Sequence, residues 1–272
     1  MLAWHGSNGF VLQRGRGPAR MLPTMNNEAL QAPRGLSVAW ARHGDEVRQA
    51  QRLRHAVFAG ELGARLNTPL PGHDVDRFDD FCEHLLVRHA ESGEVVGTYR
   101  ALTPAQARRA GSTYTDSEFD LAPLAPLRSR MLELGRSCVH PQHRQGAVIL
   151  ALWGALAQFM ATNELDTMIG CASIPLVHGG MAAAGIWNRV RHTHLAATAL
   201  QIAPHRPLPL PPDVQLRALD AAPPPLILGY LRLGARVLGP PAWDPHFNSA
   251  DLPLLVRLAD LPPRYRRGLA GV

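Results

Sequence analysis

Five short apolar runs, separated by helical and loop segments, constrain the fold of this chain most strongly. They cover residues 36–41, 84–90, 95–102, 131–139 and 167–174. Each run has the length and apolar content of a buried strand, and a turn at 91–94 joins the second and third runs into a predicted hairpin. Helices are predicted at about 45–62, from near 147 to 163 and at about 175–187. This order predicts an α/β or α+β fold, with a mixed sheet covered by helices.

Composition sets the expected domain boundaries. Residues 1–35 are rich in Gly, Pro, Asn and Arg without apolar periodicity, so we expect a flexible extension. Residues 36–272 are expected to form a single domain with a C-terminal module at 213–268. Three widely spaced cysteines predict neither a disulfide framework nor a CxxC metal site. We therefore expect a cytoplasmic protein, with a peripheral position at the inner membrane as an extension of that expectation.

The basic residues of the chain exclude several functions. All 28 residues counted as Lys or Arg are arginine, which rules out chemistry that needs a lysine, such as a Schiff base or a Walker-type phosphate loop. The net charge of +6 lies at the two ends of the chain, at 1–36 and 252–272, and the segment between them is neutral. Such a body lacks a continuous basic groove, so no nucleic acid is expected. A basic nucleic-acid- or membrane-binding protein remains the alternative from another functional class.

An acidic segment follows the first predicted helix. It contains five carboxylates within ten residues and one arginine: Asp74, Asp76, Asp79, Asp80, Glu83 and Arg77. Carboxylates this dense can bind a metal ion, hold an ammonium group or remain solvated. The spacing does not match an EF-hand loop, and we predict no metal site.

A charged pair interrupts the fourth apolar run. Glu133 and Arg136 would cost free energy inside a buried strand unless they have partners, and a structural ion pair is one explanation. A bulge at Gly135 would place both side chains on one face and break the sheet, leaving a slot for a ligand. Just downstream, Arg144 and Gly146 lie between a strand and a helix. Backbone N–H groups in such a turn can bind a phosphate, although an ordinary connector has the same pattern.

Taken together and in this order, these motifs resemble the acyl-transferring branch of the GNAT superfamily. The resemblance is to acyl-homoserine lactone synthases and to the ornithine N-acyltransferases that begin ornithine-lipid synthesis, and it runs from about residue 37 to 175. It rests on Arg54 with Phe58, then Asp74, Asp76 and Asp79, then Arg100, then Glu133 and Arg136. A C-terminal block from Tyr230 to Gly268 favours the ornithine-acylating relatives. The implied fold is a GNAT-like mixed, mostly antiparallel central sheet flanked by helices, with a split or bulged strand at the acyl-donor site.

The resemblance implies an N-acyltransferase. It would transfer a (3-hydroxy)acyl chain from acyl carrier protein to the α-amino group of L-ornithine, giving lyso-ornithine lipid. Synthesis of an acyl-homoserine lactone and acylation of another amino acid are the alternatives. The phosphate loop lacks the usual R-x-x-G-x-G/A pattern of the family, since Arg144 is followed by Gly146 and Ala147. We therefore expect no tightly bound cofactor and an acyl-phosphopantetheine arm as donor. The basic ends, including Arg264, Arg266 and Arg267, would dock the acidic carrier protein or an anionic membrane.

The resemblance also assigns roles to residues. Glu133 is expected to accept the proton of the amine, with Asp76 and Asp79 as the next candidates and as ligands of the amino groups. Substrate binding falls to Arg54, Phe58, Asp74, Arg100 and Arg136. Acyl-donor binding and the stabilisation of the oxyanion fall to Gly135, Ser137, Cys138, Val139, Arg144 and Gly146. We expect the Cys138 thiol itself to be inert packing.

Overall fold

The computed structural model describes residues 32–176, 180–209 and 221–262. The extension predicted at 1–35 falls outside the described residues except for its last four positions. Parts of the C-terminal module predicted at 213–268, and the basic end with Arg264, Arg266 and Arg267, also lie outside them. In the described part of the chain, no helix has both the length and the apolar character needed to cross a membrane.

The three predicted helices are present, and three more are found. The described residues form α1 (Gly44–His55), α2 (Pro104–Ala110), α3 (Tyr114–Glu118), α4 (Ala147–Thr162), α5 (Met181–Thr193) and α6 (Pro225–Arg232). Helix α1 continues into a π-helical segment, Ala56–Glu61, and the chain then turns at Gly63, whose φ of 72° suits glycine. Helices α2 and α3 lie in a stretch for which no element is predicted. Both begin with capping boxes, Thr103 with Gln106 and Thr113 with Asp116.

All five predicted strands are present, and three more follow near the C-terminus. The strands are β1 (Leu36–Trp40), β2 (Glu83–His89), β3 (Val95–Leu102), β4 (Met131–Val139), β5 (Thr167–Pro175), β6 (Arg236–Val237), β7 (Ala242–Asp244) and β8 (Ser249–Arg257). They form one sheet in the order β1-β2-β3-β4-β5-β8-β6, and β7 also pairs with β8. Only β4 and β5 pair in parallel. The expected mixed, mostly antiparallel sheet flanked by helices is confirmed.

Strand β4 is bulged, as predicted, but one residue later than expected. Its register against β3 shifts between Thr98, opposite Cys138, and Arg100, opposite Gly135, so β4 carries one extra residue. The residue in the left-handed conformation is Arg136, with a φ of 52°, and not Gly135. The extra residue brings the Arg136 side chain to the face of the sheet that also carries Arg100 and Glu133.

Helices cover both faces of the sheet. Helix α4 packs on one face, where its apolar residues, such as Leu152, contact alternate strand residues, such as Leu132. Helix α1 packs on the opposite face, where Leu53 contributes to a smaller core with Cys138 of β4. The bulge of β4 therefore lies between the two faces that α4 and α1 cover, and its Arg136 side chain is on the face of α1.

Candidate active site

The split between β4 and β5 opens a passage through the sheet. The two strands pair only over Met131–Glu133 and Thr167–Ile169. Gly170 allows their last close approach, because a Cβ at this position would lie 2.4 Å from the carbonyl oxygen of Leu134. Beyond this point the edge of β4 that faces β5 has no strand partner. Its backbone N–H and C=O groups are therefore available to a ligand.

A cavity of about 510 Å³ occupies this split, a volume in the range of small-molecule sites. It passes through the sheet, since Tyr99 and Leu134 line it from the face of α4, whereas Arg100 and Glu133 line it from the opposite face. Helices α4 and α6 and strand β8 supply its apolar wall, which includes Leu150, Trp153, Ala157, Leu226, Tyr230 and Leu254. The main cavity can thus hold a long apolar chain while presenting polar groups on the face of α1 and α3.

A second cavity of about 310 Å³ adjoins the first. The two cavities share three lining residues, Tyr114, Arg136 and Phe247. The second cavity is rich in carboxylates, which come from Asp74, Asp76, Glu118 and Asp244. This arrangement suits a small cationic ligand next to the apolar one.

Three arginines meet the aspartates of the acidic segment in a group that we call the arginine-paired cluster. It consists of Arg54, Asp74, Asp76, Asp79, Arg100 and Arg136. The Arg54 guanidinium donates from Nη1 and Nη2 to the two carboxylate oxygens of Asp79, at 2.9 and 2.8 Å, and from Nε to Asp74 at 2.8 Å. Arg54 is fully buried. Arg100 donates to Asp76 at 2.6 Å and to Asp79 at 3.1 Å.

Charge pairing controls the protonation of this cluster. Burial alone would raise the pKa of Asp79, but the charges and hydrogen bonds of Arg54, with the charge of Arg100, outweigh burial and hold the pKa well below its ordinary value. The pKa of Asp76 is likewise lowered, since Arg100 and Arg136 outweigh its burial. Asp76 and Asp79 are therefore ionised, and arginines of the cluster already bind both of them.

Arg136 connects this cluster to the two cavities. Its Nε donates to Asp74 at 3.0 Å and its Nη2 to Asp76 at 2.9 Å, while Nη1 donates to no atom of the described residues. The guanidinium lies over the rings of Phe247 and Tyr114, with its central carbon 4.7 and 5.2 Å from the ring centres. Aromatic contacts and ion pairs thus fix the group and leave one N–H-bearing nitrogen for a ligand.

A second set of carboxylates, which we call the unpaired cluster, lies on the β8 side of the split. It consists of Glu118, Asp244 and Asp251, none of which forms an ion pair with another described residue. Asp244 accepts hydrogen bonds from the Tyr114 hydroxyl at 2.9 Å and from the backbone N–H groups of His246 and Phe247. Asp251 accepts one from the Ser249 hydroxyl at 3.0 Å.

In the unpaired cluster, the pKa values of Asp251 and Glu118 are raised, whereas those of Asp76 and Asp79 in the arginine-paired cluster are lowered. Burial, followed by the charge of Asp244, raises the pKa of Asp251 to about 6. Burial and the charges of Asp251 and Asp244 raise the pKa of Glu118 to about 7. Two carboxyl groups in one site whose pKa values are raised towards neutrality are a common property of active sites.

Glu133 lines the main cavity but is engaged by α3. Its Oε1 accepts hydrogen bonds from the backbone N–H and the hydroxyl of Thr115, both at 2.6 Å, and its Oε2 accepts one from the N–H of Tyr114 at 2.9 Å. Although its strand is apolar, the Glu133 side chain is thus buried among hydrogen-bond donors. Through these contacts Glu133 holds α3 and places Tyr114 between the two cavities.

The structure brings together most of the predicted substrate residues. The main cavity is lined by Phe58, Arg100, Glu133, Gly135, Arg136 and Ser137, and the second cavity by Asp74, Asp76 and Arg136. Arg54 and Asp79 line neither cavity. Their predicted contact with substrate does not fit this geometry, because the two side chains are buried and saturate each other's hydrogen bonds.

Of the residues predicted to bind the acyl donor, some line the main cavity and others do not. Cys138, Val139, Arg144 and Gly146 do not line the main cavity. The Cys138 side chain packs against α1, and burial raises the pKa of its thiol to about 12, which agrees with inert packing. Arg144 donates to both carboxylate oxygens of Glu61, at 2.6 and 2.7 Å. A phosphate at the start of α4 would have to compete with this carboxylate.

Sequence reasoning gave no site role to four side chains of the site: Tyr114, Glu118, Asp244 and Asp251, of which the last two lie in the C-terminal block that favours the ornithine-acylating relatives. The first two lie on α3, where no element is predicted, although Thr113 and Asp116 carried the capping signal. Asp251 interrupts an apolar run in β8 as Glu133 interrupts β4. The same argument that singled out Glu133, a charge inside a buried strand, would have found it.

Comparison with known families agrees with the fold. The family model described as the Acetyltransferase (GNAT) domain matches residues 53–154. Among solved structures, a CoA-dependent acyl-homoserine lactone synthase, BjaI, superposes with a TM-score of 0.52 at 18% identity, covering 87% of this chain and 89% of that one. At this identity the likeness concerns the fold.

Curated relatives cover nearly the whole chain. A protein of Rhodobacter capsulatus named L-ornithine N(alpha)-acyltransferase is 38% identical over 252 residues, which are 86% of this chain and 95% of the relative. A protein of Brucella abortus with the same name is 34% identical over 85% of this chain and 87% of the relative. Both alignments extend well beyond the residues matched by the GNAT domain.

Proposed function

The chain belongs to the L-ornithine N(alpha)-acyltransferase family, and from this membership we propose that it transfers a 3-hydroxyacyl chain from acyl carrier protein to the α-amino group of L-ornithine. The product would be lyso-ornithine lipid. The observation that carries the proposal is the apolar cavity that passes through the split between β4 and β5 and meets a carboxylate-rich cavity at Arg136.

The main cavity supports the acyl-donor half of the proposal. Its wall from α4, α6 and β8 is apolar, which suits a hydrocarbon chain. The thioester would lie at the polar face, beside the β4 residues Gly135, Arg136 and Ser137. Their edge has no strand partner, so a backbone N–H can donate to the carbonyl oxygen as negative charge develops on it.

The second cavity supports the acceptor half. At neutral pH ornithine carries two ammonium groups and one carboxylate. The lining of the second cavity offers the complementary charges, with the carboxylates of Asp244 and Glu118 for ammonium groups and the Nη1 of Arg136, which donates to no described residue, for the carboxylate. Because Arg136 lines both cavities, it would place the amino acid next to the thioester.

The reaction needs a neutral amine. The α-ammonium group loses a proton, the amine attacks the thioester carbonyl carbon, and the carbon–sulfur bond of the tetrahedral intermediate breaks to release the thiol of the phosphopantetheine arm. Holding the amine and the thioester in adjoining cavities supplies proximity. Two carboxylates line the main cavity, Glu133 and Asp251, and either could in principle receive the proton.

The proposed contacts with the carrier protein and with the membrane rest on charge complementarity. Acyl carrier protein is acidic, and the two ends of the chain carry the excess of arginine. The ends would also bring the enzyme to the anionic membrane that receives the lipid product. Coenzyme A thioesters should be poorer donors, because the Glu61 carboxylate occupies Arg144 where the coenzyme's phosphates would lie.

The experiment supplies the purified full chain with 3-hydroxyacyl-carrier-protein thioesters and with L-ornithine or a panel of other amino acids. We expect release of free thiol that depends on L-ornithine, and a product whose mass is that of ornithine plus the 3-hydroxy fatty acid less one water. The matching coenzyme A thioester is the control donor. Thiol release only with another amino acid, or formation of a homoserine lactone, would instead support the corresponding alternative.

A further inference from the structure

We infer that Asp251 is the residue that takes the proton from the attacking amine. This inference rests on the proposed function and adds to it a catalytic residue from the C-terminal block, to which the resemblance assigned no role in the reaction. It is carried by the position of Asp251 in the main cavity and by the contacts of the other carboxylates of the site.

Asp251 lies on the β8 side of the split, across from the bulge of β4. It lies on β8 directly opposite Ser173 of β5 and lines the main cavity with a residual exposure of 2%. Because side chains alternate along a strand, it projects from the same face of the sheet as Glu133 and Arg136. A substrate held by the Arg136 guanidinium would therefore lie between the bulge of β4 and the Asp251 carboxylate.

Of the other carboxylates, Asp244 and Glu118 do not line the main cavity, where the thioester would lie, and the remaining ones are committed to partners. Asp76 and Asp79 are bound by two arginines each, so protonation would break ion pairs. Both oxygens of Glu133 are hydrogen-bonded to α3, and two of its three donors are backbone N–H groups that cannot turn away. Asp251 accepts instead from the hydroxyls of Ser249 and Ser173, which can rotate. It can therefore pick up a proton without any rearrangement of the backbone.

Its surroundings favour proton exchange near neutral pH. The burial of Asp251 and the charge of Asp244 raise its pKa to about 6, so the carboxylate is mostly ionised at pH 7 and still basic enough to accept a proton. The titratable and charged groups facing it are Asp244 on β7, Arg136 on β4, Glu118 and Tyr114 on α3, and Cys171 on β5.

The proton balance of the step is simple. One proton passes from the α-ammonium group to the Asp251 carboxylate, and the freed electron pair forms the new carbon–nitrogen bond. When the carbon–sulfur bond breaks, a second proton of the same nitrogen goes to the departing thiolate. The Asp251 carboxyl then releases its proton to solvent, and the net products are an amide, a thiol and one proton.

The test compares Asp251→Asn with wild type in the full chain, following kcat and KM for the amino acid from pH 5 to pH 9. For wild type we expect kcat/KM to fall below about pH 6, because the base must be ionised. For Asp251→Asn we expect kcat to fall by about 100-fold or more, as is usual on loss of a general base, with loss of the acid limb of the profile. Asp251→Glu should restore part of kcat.

Two further variants separate a catalytic from a structural role. Asp244→Asn removes a neighbouring negative charge and should move the acid limb to lower pH without abolishing it, since Asp244 raises the pKa of Asp251. Glu91→Gln, in the exposed β2–β3 turn, should match wild type throughout and serves as the surface control.

The outcomes distinguish this inference from the proposed function. The inference is overturned if Asp251→Asn keeps the wild-type kcat and acid limb, or if it raises only KM. It is also overturned if Glu133→Gln, and not Asp251→Asn, removes the limb. A wild-type enzyme that acylates another amino acid refutes the ornithine proposal, and the same variants with that amino acid still decide the role of Asp251. A wild type inactive with every amino acid overturns both.

Discussion

The carboxylates on the two sides of the split between β4 and β5 differ in whether arginines are paired with them. On the β4 side, the arginine-paired cluster holds three aspartates against three buried or nearly buried arginines. On the β8 side, Asp244 and Asp251 accept hydrogen bonds from neutral donors, and Glu118 forms no ion pair with another described residue. Removing water from a carboxylate costs free energy on both sides, but only on the β4 side do built-in cations offset that cost.

The difference separates two uses of buried charge. The paired aspartates fix the bulged β4, because Arg136 can hold its left-handed backbone position only while Asp74 and Asp76 bind its guanidinium. The unpaired carboxylates keep their capacity for a cation, which the substrate can supply. The first cluster therefore contributes to stability and the second to function, and substitutions that remove a charge should act on them in opposite directions.

The largest effect is expected for Asp79→Asn. This change leaves the Arg54 charge buried with one partner fewer, and removal of one member of a buried pair costs about 3–5 kcal/mol of the free energy of unfolding. Urea unfolding at pH 7 measures it, with Asp80→Asn, an exposed neighbour, as the matched control. Because the native pKa of Asp79 is lowered, its contribution is complete above the unfolded pKa of about 3.9 and is lost as the pH falls below it. Equal stability of Asp79→Asn and Asp80→Asn would show that the pairing is not structural.

Gly170→Ala should disturb the contact between β4 and β5 at the point where the split begins. A Cβ 2.4 Å from the Leu134 carbonyl oxygen forces β4 and β5 apart at the vertex of the split. Overpacking of this kind costs about 1–3 kcal/mol, and the displaced β4 should also lower kcat. Thermal unfolding and steady-state kinetics are the measurements. Gly44→Ala at the start of α1, where no atom lies within 4 Å of the added carbon, is the control for a glycine replacement, and equal behaviour of the two variants would contradict the close approach.

Asp251→Asn should stabilise the protein while it inactivates it. The folded pKa of about 6 lies above the unfolded value of about 3.9, so the folded state is penalised where the carboxylate is ionised. We expect a gain of about 1–2 kcal/mol at pH 8 from removal of this unpaired buried charge. The gain should shrink as the pH falls from 6 to 4, because the wild-type group becomes neutral. Unfolding at pH 8 and at pH 4.5 checks the sign, and a loss of stability at pH 8 would refute the contrast between the clusters.

The smallest effect is expected for Glu61→Gln. The Glu61–Arg144 pair is partly exposed, with side-chain exposures of 35% and 43%, so its loss should change stability by less than about 1 kcal/mol. Freed from Glu61, Arg144 can bind a donor phosphate, and we expect KM for the acyl donor to fall about two- to fivefold, which corresponds to at most about 1 kcal/mol. Arg144→Gln should raise the same KM. An unchanged KM in both variants would remove Arg144 from the donor site.

Much of the fold follows from the sequence. The apolar runs predict β1 to β5 within one or two residues, because a strand buried by helices has to be apolar over its length. The bulge of β4 follows from the cost of burying Glu133 and Arg136 together. The missed helices α2 and α3 are short and weakly amphipathic, and capping boxes at Thr103 and Thr113 stabilise them instead of apolar periodicity.

The sequence by itself determined five of the strands and their succession along the chain, the break at Glu133 to Arg136, and the fact that every Lys or Arg cation is an arginine. Only the tertiary structure decided which carboxylates meet those arginines. Asp79 and Asp251 are equally acidic as residues and are both buried, yet their pKa values move in opposite directions. The physical reason is that a carboxylate's ionisation depends on charges within a few ångströms. Arg54, Arg100 and Asp244 reach those distances only through folding, from positions far apart in the chain.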